Sequence, residues 1–268
     1  MSKLAFAVLL VLPLSTGKAA AAETLRLGGT GTAIGMLRQV GAEFSAATGV
    51  KVDVVPSFGS TGSIHALTDG VLDMAVPARP PTKDESAKGL RQIAVARTAY
   101  VLATSDRTPN GLRSADIAGI FTAEKPVWAD GTPIRIILRP RSDTDTALLG
   151  KLFAGMGEAI EIARRRPEVP TAATDQDNVE LAEHISGSLT GTTMSQLKTE
   201  HRNLRVVPLD GREPTFADFE SGAYPFAKTL YFIVQPNSAP EAQKFVDYLR
   251  SPQGGRALRE TETLMITE

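Results

Sequence analysis

The chain has 268 residues, with 29 Lys+Arg against 30 Asp+Glu, a formal net charge of −1, 42% hydrophobic residues and no cysteine. That balance excludes a polyanion partner such as nucleic acid, which needs a basic face. The missing thiols exclude a disulfide frame, a lipid anchor on cysteine and thiolate chemistry, and the length allows two lobes or one large domain.

The N-terminus reads as a secretory leader. Lys3 supplies a positive start, residues 4–14 are an unbroken apolar run, and Ala20, Ala21 and Ala22 offer small residues for cleavage. The run is shorter than the roughly 20 apolar residues that span a bilayer. The alternative, a retained buried helix, is opposed by Pro13, Ser15, Thr16 and Gly17, which break it. Cleavage is predicted after Ala22, giving an exported protein that is not a lipoprotein. Loss of Lys3 and Lys18 leaves 27 basic side chains against 30 acidic ones.

Strands and helices then alternate. Residues 24–27 read as a strand, followed by a Gly/Thr turn and a helix with Leu37, Val40, Gly41 and Phe44 on one face and Gly49 at its end. Residues 50–55 form a second strand, rich in β-branched residues. The turn from Gly59 to Gly62 leads into a short helix ending at Gly70, and residues 72–76 form a third strand. Further strands are predicted over 93–104, 134–138, 205–209 and 229–235, and further helices over 114–121, 175–185 and from Pro240. The alternation implies βαβ units and an α/β fold with a mostly parallel sheet flanked by helices.

Three loops share one design, in which a strand gives way to Gly, Ser and Thr before a helix: residues 29–32, 59–63 and 139–146. Free backbone amides and the positive end of a helix dipole make such loops anion sites. In open α/β sheets they gather outside the carboxyl ends of the strands. The bland reading of any one loop is an ordinary N-cap. Arg139 and Arg141 flank the third loop and offer forked, permanent cations; Arg79 follows the third strand. Their alternatives are solvated surface charges or an interlobe salt bridge. Gly29, Gly31 and Gly35 are one residue too widely spaced for a dinucleotide fingerprint. His65, His184 and His201 lack metal-ligand spacing, and no Gly-x-Ser-x-Gly elbow occurs. No cofactor, metal or catalytic group is expected, and Asp143 and Asp145 read as helix caps, solvent-facing acids or a carboxylate pair.

The order of these motifs resembles the periplasmic phosphate-binding proteins of ABC importers, in the type II solute-binding superfamily. The resemblance rests on Gly29-Thr30-Gly31-Thr32, Ala47-Thr48-Gly49-Val50-Lys51-Val52, Gly59-Ser60-Thr61-Gly62-Ser63-Ile64 and Asp73-Met74-Ala75-Val76. It continues through the arginine loop ending in Thr144-Asp145-Thr146, Gly222-Ala223-Tyr224-Pro225 and Ser251-Pro252-Gln253-Gly254-Gly255. It implies two lobes joined by two crossing strands, with lobe one over 23–104 plus 227–268 and lobe two over 105–226. It also implies a monomer that closes around phosphate or a related oxyanion and meets a permease in the inner membrane. The ligand-binding candidates are Thr30, Gly31, Thr32, Ser60, Thr61, Arg79, Arg139, Arg141, Ser142, Thr144, Asp145 and Thr146. The family's proton-accepting aspartate after the third strand is replaced by Ala78, so the acceptor passes to Asp143 or Asp145 or is missing. The rival roles are a ligand sensor of the same fold and, behind it, an exported phosphoesterase, for which metal ligands and a triad are lacking.

Overall fold

The computed structural model describes residues 24–107 and 110–266; the expected leader, residues 1–22, lies outside them. The chain opens with β1 (Thr24–Gly29), α1 (Gly31–Thr48), β2 (Lys51–Val54), α2 (Gly59–Thr68), β3 (Met74–Val76), α3 (Lys83–Ala87) and β4 (Arg91–Thr104). A single 3-10 turn (Ser114–Asp116) leads to α4 (Ile117–Thr122), β5 (Arg135–Ile136), α5 (Thr144–Leu152) and α6 (Met156–Arg164). Then come α7 (Asp175–His184), β6 (Ser188–Thr193), α8 (Met194–Thr199), β7 (Arg205–Val206) and α9 (Phe216–Ser221). The chain returns through β8 (Ala227–Val234), α10 (Pro240–Arg250), α11 (Pro252–Glu260) and β9 (Thr263–Met265).

The strands run in the order β2-β1-β3-β8-β4-β6-β5. β1 is parallel to both β2 and β3, and β5 is parallel to β6. The long β4 and β8 run antiparallel from Arg91↔Val234 to Ala99↔Ala227. β4 then continues to pair with β6 from Tyr100↔Thr193 to Ala103↔Thr190. This is the two-lobed α/β fold expected from the sequence, with β4 and β8 as the crossing strands.

Each lobe has its own core. In the first, Leu25, Leu27, Met36, Leu37, Val40 and Phe44 pack with Phe232, Phe245 and Leu258. The Phe44 and Phe245 rings meet edge to face, 5.2 Å apart. Burying a side chain of this size contributes about 1.5–3 kcal/mol. Gly49 ends α1 with φ 78, the left-handed conformation that glycine adopts freely, and its amide bonds Ser45 O at 2.9 Å. The second core gathers Tyr100, Val101, Leu102, Ile136, Ile160, Val179, Leu189 and Tyr224. The change of core falls within β4, between Ala96 and Ala99. Among the described residues, no helix is long and apolar enough to cross a membrane.

One feature differs from expectation and one strand was not predicted. The glycines at 59–62 form the first turn of α2 rather than a turn before it. The polar Ser188-Leu189-Thr190-Gly191-Thr192-Thr193 is a wholly buried strand. Its hydroxyls find local acceptors: Ser188 donates to Ala182 O at 2.8 Å, Thr190 to Asn178 Oδ1 at 2.7 Å and Thr192 to Gln196 Oε1 at 2.8 Å. Hydroxyls satisfied in this way cost little to bury, so the strand needs no apolar pattern.

Candidate ligand-binding cleft

The cleft begins where β1 meets α1. β1 and β3 run so close at Gly29 that a Cβ there would lie 2.3 Å from Val76 O. The Thr30 amide closes the turn on Val76 O at 3.1 Å. Thr30 is the N-cap residue of α1, yet its hydroxyl does not cap the helix. It donates instead to Asp175 Oδ2 of the other lobe at 3.2 Å, and the Thr32 amide donates to the same oxygen at 3.1 Å. The first loop therefore cradles an oxygen anion, as helix N-termini do; the anion here is a side chain of the protein.

Five ionisable groups converge on this point. Arg139 Nη2 lies 2.7 Å from Asp143 Oδ2 and 3.5 Å from Asp175 Oδ1. Lys228, from the crossing strand β8, is paired with Asp145 Oδ1 and stands 3.9 Å from Asp175 Oδ1. Arg139, Asp145, Asp175 and Lys228 are all buried. Three carboxylates share two cations, so one negative charge is in excess and a proton is the cheapest remedy. Burial, with Asp175 and Asp143 beside it, pushes Asp145 up to about 6 against the pull of Lys228. Burial also raises Asp175, but Lys228, Arg139 and the bonds from Thr30 and Thr32 outweigh it and hold Asp175 below the ordinary carboxylate value. Lys228 is raised, because its carboxylate neighbours outweigh desolvation, and it stays charged. Oxygens of Asp143, Asp145 and Asp175 lie within 4.8 Å of one another, a spacing suited to a cation. The Lys228 ammonium supplies that cation.

The other two loops face the same region. Ser60, in the first turn of α2, accepts from the Ala78 amide at 3.0 Å and lies 3.4 Å from the Thr144 hydroxyl across the cleft. Asp143 is the N-cap of α5 and accepts from the Asp145 amide at 2.8 Å. Thr30, Gly31, Thr32, Ser60, Arg139, Thr144 and Asp145 are thus brought together. Thr61 and Ser142 are exposed at the rim, lining one cavity of about 450 Å³ with Phe58 and Arg139. Thr146 donates to Pro140 O at 2.9 Å and ties its own loop.

Arg79 and Arg141 are held by carboxylates of their own lobes. Arg79 grips Glu85 through two bonds of 2.8 Å, and Glu85 is held down at about 2 by that guanidinium. Arg141 is exposed and bonds Glu161 at 2.6 Å. Both line the mouth of a second cavity, of about 490 Å³, that reaches Lys228 and Tyr231.

Sequence reasoning missed Lys228 and Asp175. Lys228 had a signal: in Ala227–Val234 it alternates in phase with Leu230 and Phe232, so a cation stands on the buried face of a strand. Asp175 had none, because its capping-box surroundings read as an ordinary helix start.

The arrangement can bind and orient a small anion, using two buried cations, backbone amides and hydroxyls. The fold has solved counterparts. A Clostridium perfringens protein described as a phosphate ABC transporter substrate-binding protein with bound phosphate is similar, with TM-score 0.77 and 15% identity over 91% of this chain and 100% of that one. The Azotobacter vinelandii periplasmic molybdate-binding protein matches with TM-score 0.59 and 12% identity over 91% and 100%. The Synechocystis CcmR regulatory domain matches with TM-score 0.54 and 14% identity over 85% and 95%. No curated protein matches the chain in sequence. A profile described as the PBP superfamily domain matches residues 14–253, and with the two-lobed fold and its interlobe cleft this shows that the chain belongs to the PBP superfamily.

Proposed function

We propose that the protein is an exported solute-binding protein that captures phosphate or a similar tetrahedral oxyanion for an ABC uptake transporter, and that it is not an enzyme. The observation that carries this reading is the cradle at residues 30–32. It already holds a carboxylate oxygen between the Thr32 amide and the Thr30 hydroxyl, beside the buried cations Arg139 and Lys228. The phosphate- and molybdate-binding proteins of the same fold support it. On this reading, the leader at residues 1–22 is cleaved and the monomer works in the periplasm. Lobe one is residues 23–104 with 227–268, lobe two is residues 105–226, and they hinge where β4 and β8 cross. A permease of the inner membrane recognises the closed form.

The contacts proposed for the solute come from Thr30, Gly31, Thr32, Ser60, Arg139, Thr144 and Asp145, joined now by Lys228. Asp145, pushed up to about 6, takes the proton-accepting part that Ala78 leaves empty. A thermal-shift screen of phosphate, sulfate and molybdate on the purified protein tests the reading. A solute at 100 times its dissociation constant stabilises by about 2.7 kcal/mol, or roughly 5–10 °C for a chain of this size. No shift with any of these oxyanions at millimolar concentration would sink it.

A second reading, a ligand sensor without a transport role, draws on the regulatory domain of the same fold. Copurification of the closed protein with a permease favours transport; copurification with a signalling protein favours sensing.

A further inference from the structure

The anion cradle of the first lobe is filled by a side chain of the second. Asp175 is the first residue of α7, but the helix does not need its carboxylate. Thr174 and Asp177 form the capping box: Thr174 Oγ1 accepts from the Asp177 amide at 3.0 Å, and Asp177 Oδ2 accepts from the Thr174 amide at 3.0 Å. The Asp175 side chain is free to cross the cleft, where it accepts from Thr30 and Thr32 and faces Arg139 and Lys228. Its neighbour Gln176 adds a bond from Nε2 to Gly31 O at 3.0 Å. The approach requires glycine at that point, since a Cβ on Gly31 would lie 2.6 Å from Asp175 Oδ2.

The fit is incomplete in a telling way. A carboxylate has two oxygens, and one donor of the cradle and one of the adjoining Arg139 guanidinium remain unused. The Thr32 hydroxyl and Arg139 Nε are buried without hydrogen-bond partners. Buried donors are rarely left so, and a tetrahedral anion has the extra oxygens to reach them. Asp175 therefore covers part of a site shaped for a larger oxyanion.

We infer that Asp175 is a tethered internal competitor, which holds the lobes together without solute and must leave the cradle before an oxyanion can enter. The inference rests on the oxyanion reading of the cleft. Its consequence is a tax on affinity, because only the fraction of molecules with an empty cradle can bind. It also sets a selection rule: the solute must outbid a carboxylate for the same donors, which favours dianions over monoanions.

Asp175→Asn is a conservative test. The capping box stays, Lys228 keeps Asp145, and Arg139 keeps Asp143 at 2.7 Å. Gly31→Ala blocks the docked carboxylate from the other lobe. The chain has no cysteine, so Lys51→Cys and Lys125→Cys, exposed positions one in each lobe, carry a fluorophore pair that reports the interlobe distance. Phosphate affinity is measured by calorimetry on the same proteins. In the Asp175-bearing protein the distance is expected to be short with and without phosphate. In Asp175→Asn the solute-free distance lengthens, phosphate restores it, and phosphate binds at least tenfold more tightly. Gly31→Ala lengthens the solute-free distance as well.

A solute-free Asp175→Asn that stays closed, or one that binds phosphate no more tightly than the parent, overturns the inference while leaving the solute-binding reading intact. Weaker phosphate binding in Asp175→Asn overturns it too, by making Asp175 a solute contact. If both substitutions open the lobes and no variant binds phosphate, the latch stands and the phosphate reading falls.

Discussion

Replacing Lys228 by methionine removes the ammonium that Asp145 and Asp175 share and leaves the hole filled by a side chain of similar length. The Lys228 and Asp145 side chains are 2% and 1% exposed, so water does not take the place of the lost partner. Arg139 would then face Asp143, Asp145 and Asp175 alone, and the local charge would go from −1 to −2. Breaking a buried pair by removing one member typically costs about 3–5 kcal/mol, which lowers the melting temperature by roughly 6–20 °C in a protein of this size. Part of that cost is recoverable by protonation. Asp145 already stands at about 6, so the loss should be smaller at pH 5 than at pH 8. Lys228→Met combined with Asp145→Leu removes both charges, returns the cluster to −1, and should regain most of the stability, because apolar replacement of a whole buried pair is often neutral. Calorimetry and urea unfolding at the two pH values measure all of this. A loss below about 1 kcal/mol at pH 8, or a double variant no more stable than the single one, would refute the buried-charge account.

Asp145 gives a pH signature of its own. Its folded pKa of about 6 exceeds the unfolded value of 3.8, so the folded state holds more protons between them. Stability from this group is present below about pH 4 and lost as pH rises through about 6, by roughly 3 kcal/mol in total. Asp145→Asn should lose that slope, and urea midpoints at pH 4.5, 5.5 and 7 that fall in parallel for both proteins would contradict it. Arg139→Ala should weaken phosphate binding by more than tenfold, while Arg141→Ala, an exposed partner of Glu161, should change it less than twofold; calorimetry showing the reverse would move the anchor to Arg141. Gly191→Ala would put a Cβ 1.9 Å from Tyr100 Oη and should cost about 1–3 kcal/mol by overpacking the β4–β6 contact; an unchanged melting temperature would show that the strands are not so close.

The order of elements was legible because it is written in local patterns. The face of α1 shows as Leu37, Val40, Gly41 and Phe44 at helical spacing, and Gly49 ends the helix where a left-handed residue is needed. The cradle at Thr30, Gly31 and Thr32 showed for the same reason: a strand end, small residues and a helix start are neighbours in the chain. Buried polar elements were not legible. β6 carries threonines and no apolar alternation, so the sequence predicted no strand there, and the carbonyls and amides of α7 and α8 make those hydroxyls tolerable inside.

Charge pairing was the part that tertiary structure alone decided. Arg79, Arg139 and Arg141 look alike as cations beside a loop. In the fold Arg79 and Arg141 turn to Glu85 and Glu161, which stand 6 and 20 residues away, and of the three Arg139 alone is buried against Asp143 and Asp175. Asp175 reaches Thr30 across 145 positions of sequence. Sequence records which groups are charged and which loops expose amides. Which carboxylate meets which cation depends on how two lobes close, and electrostatic energy follows distance in space rather than separation along the chain.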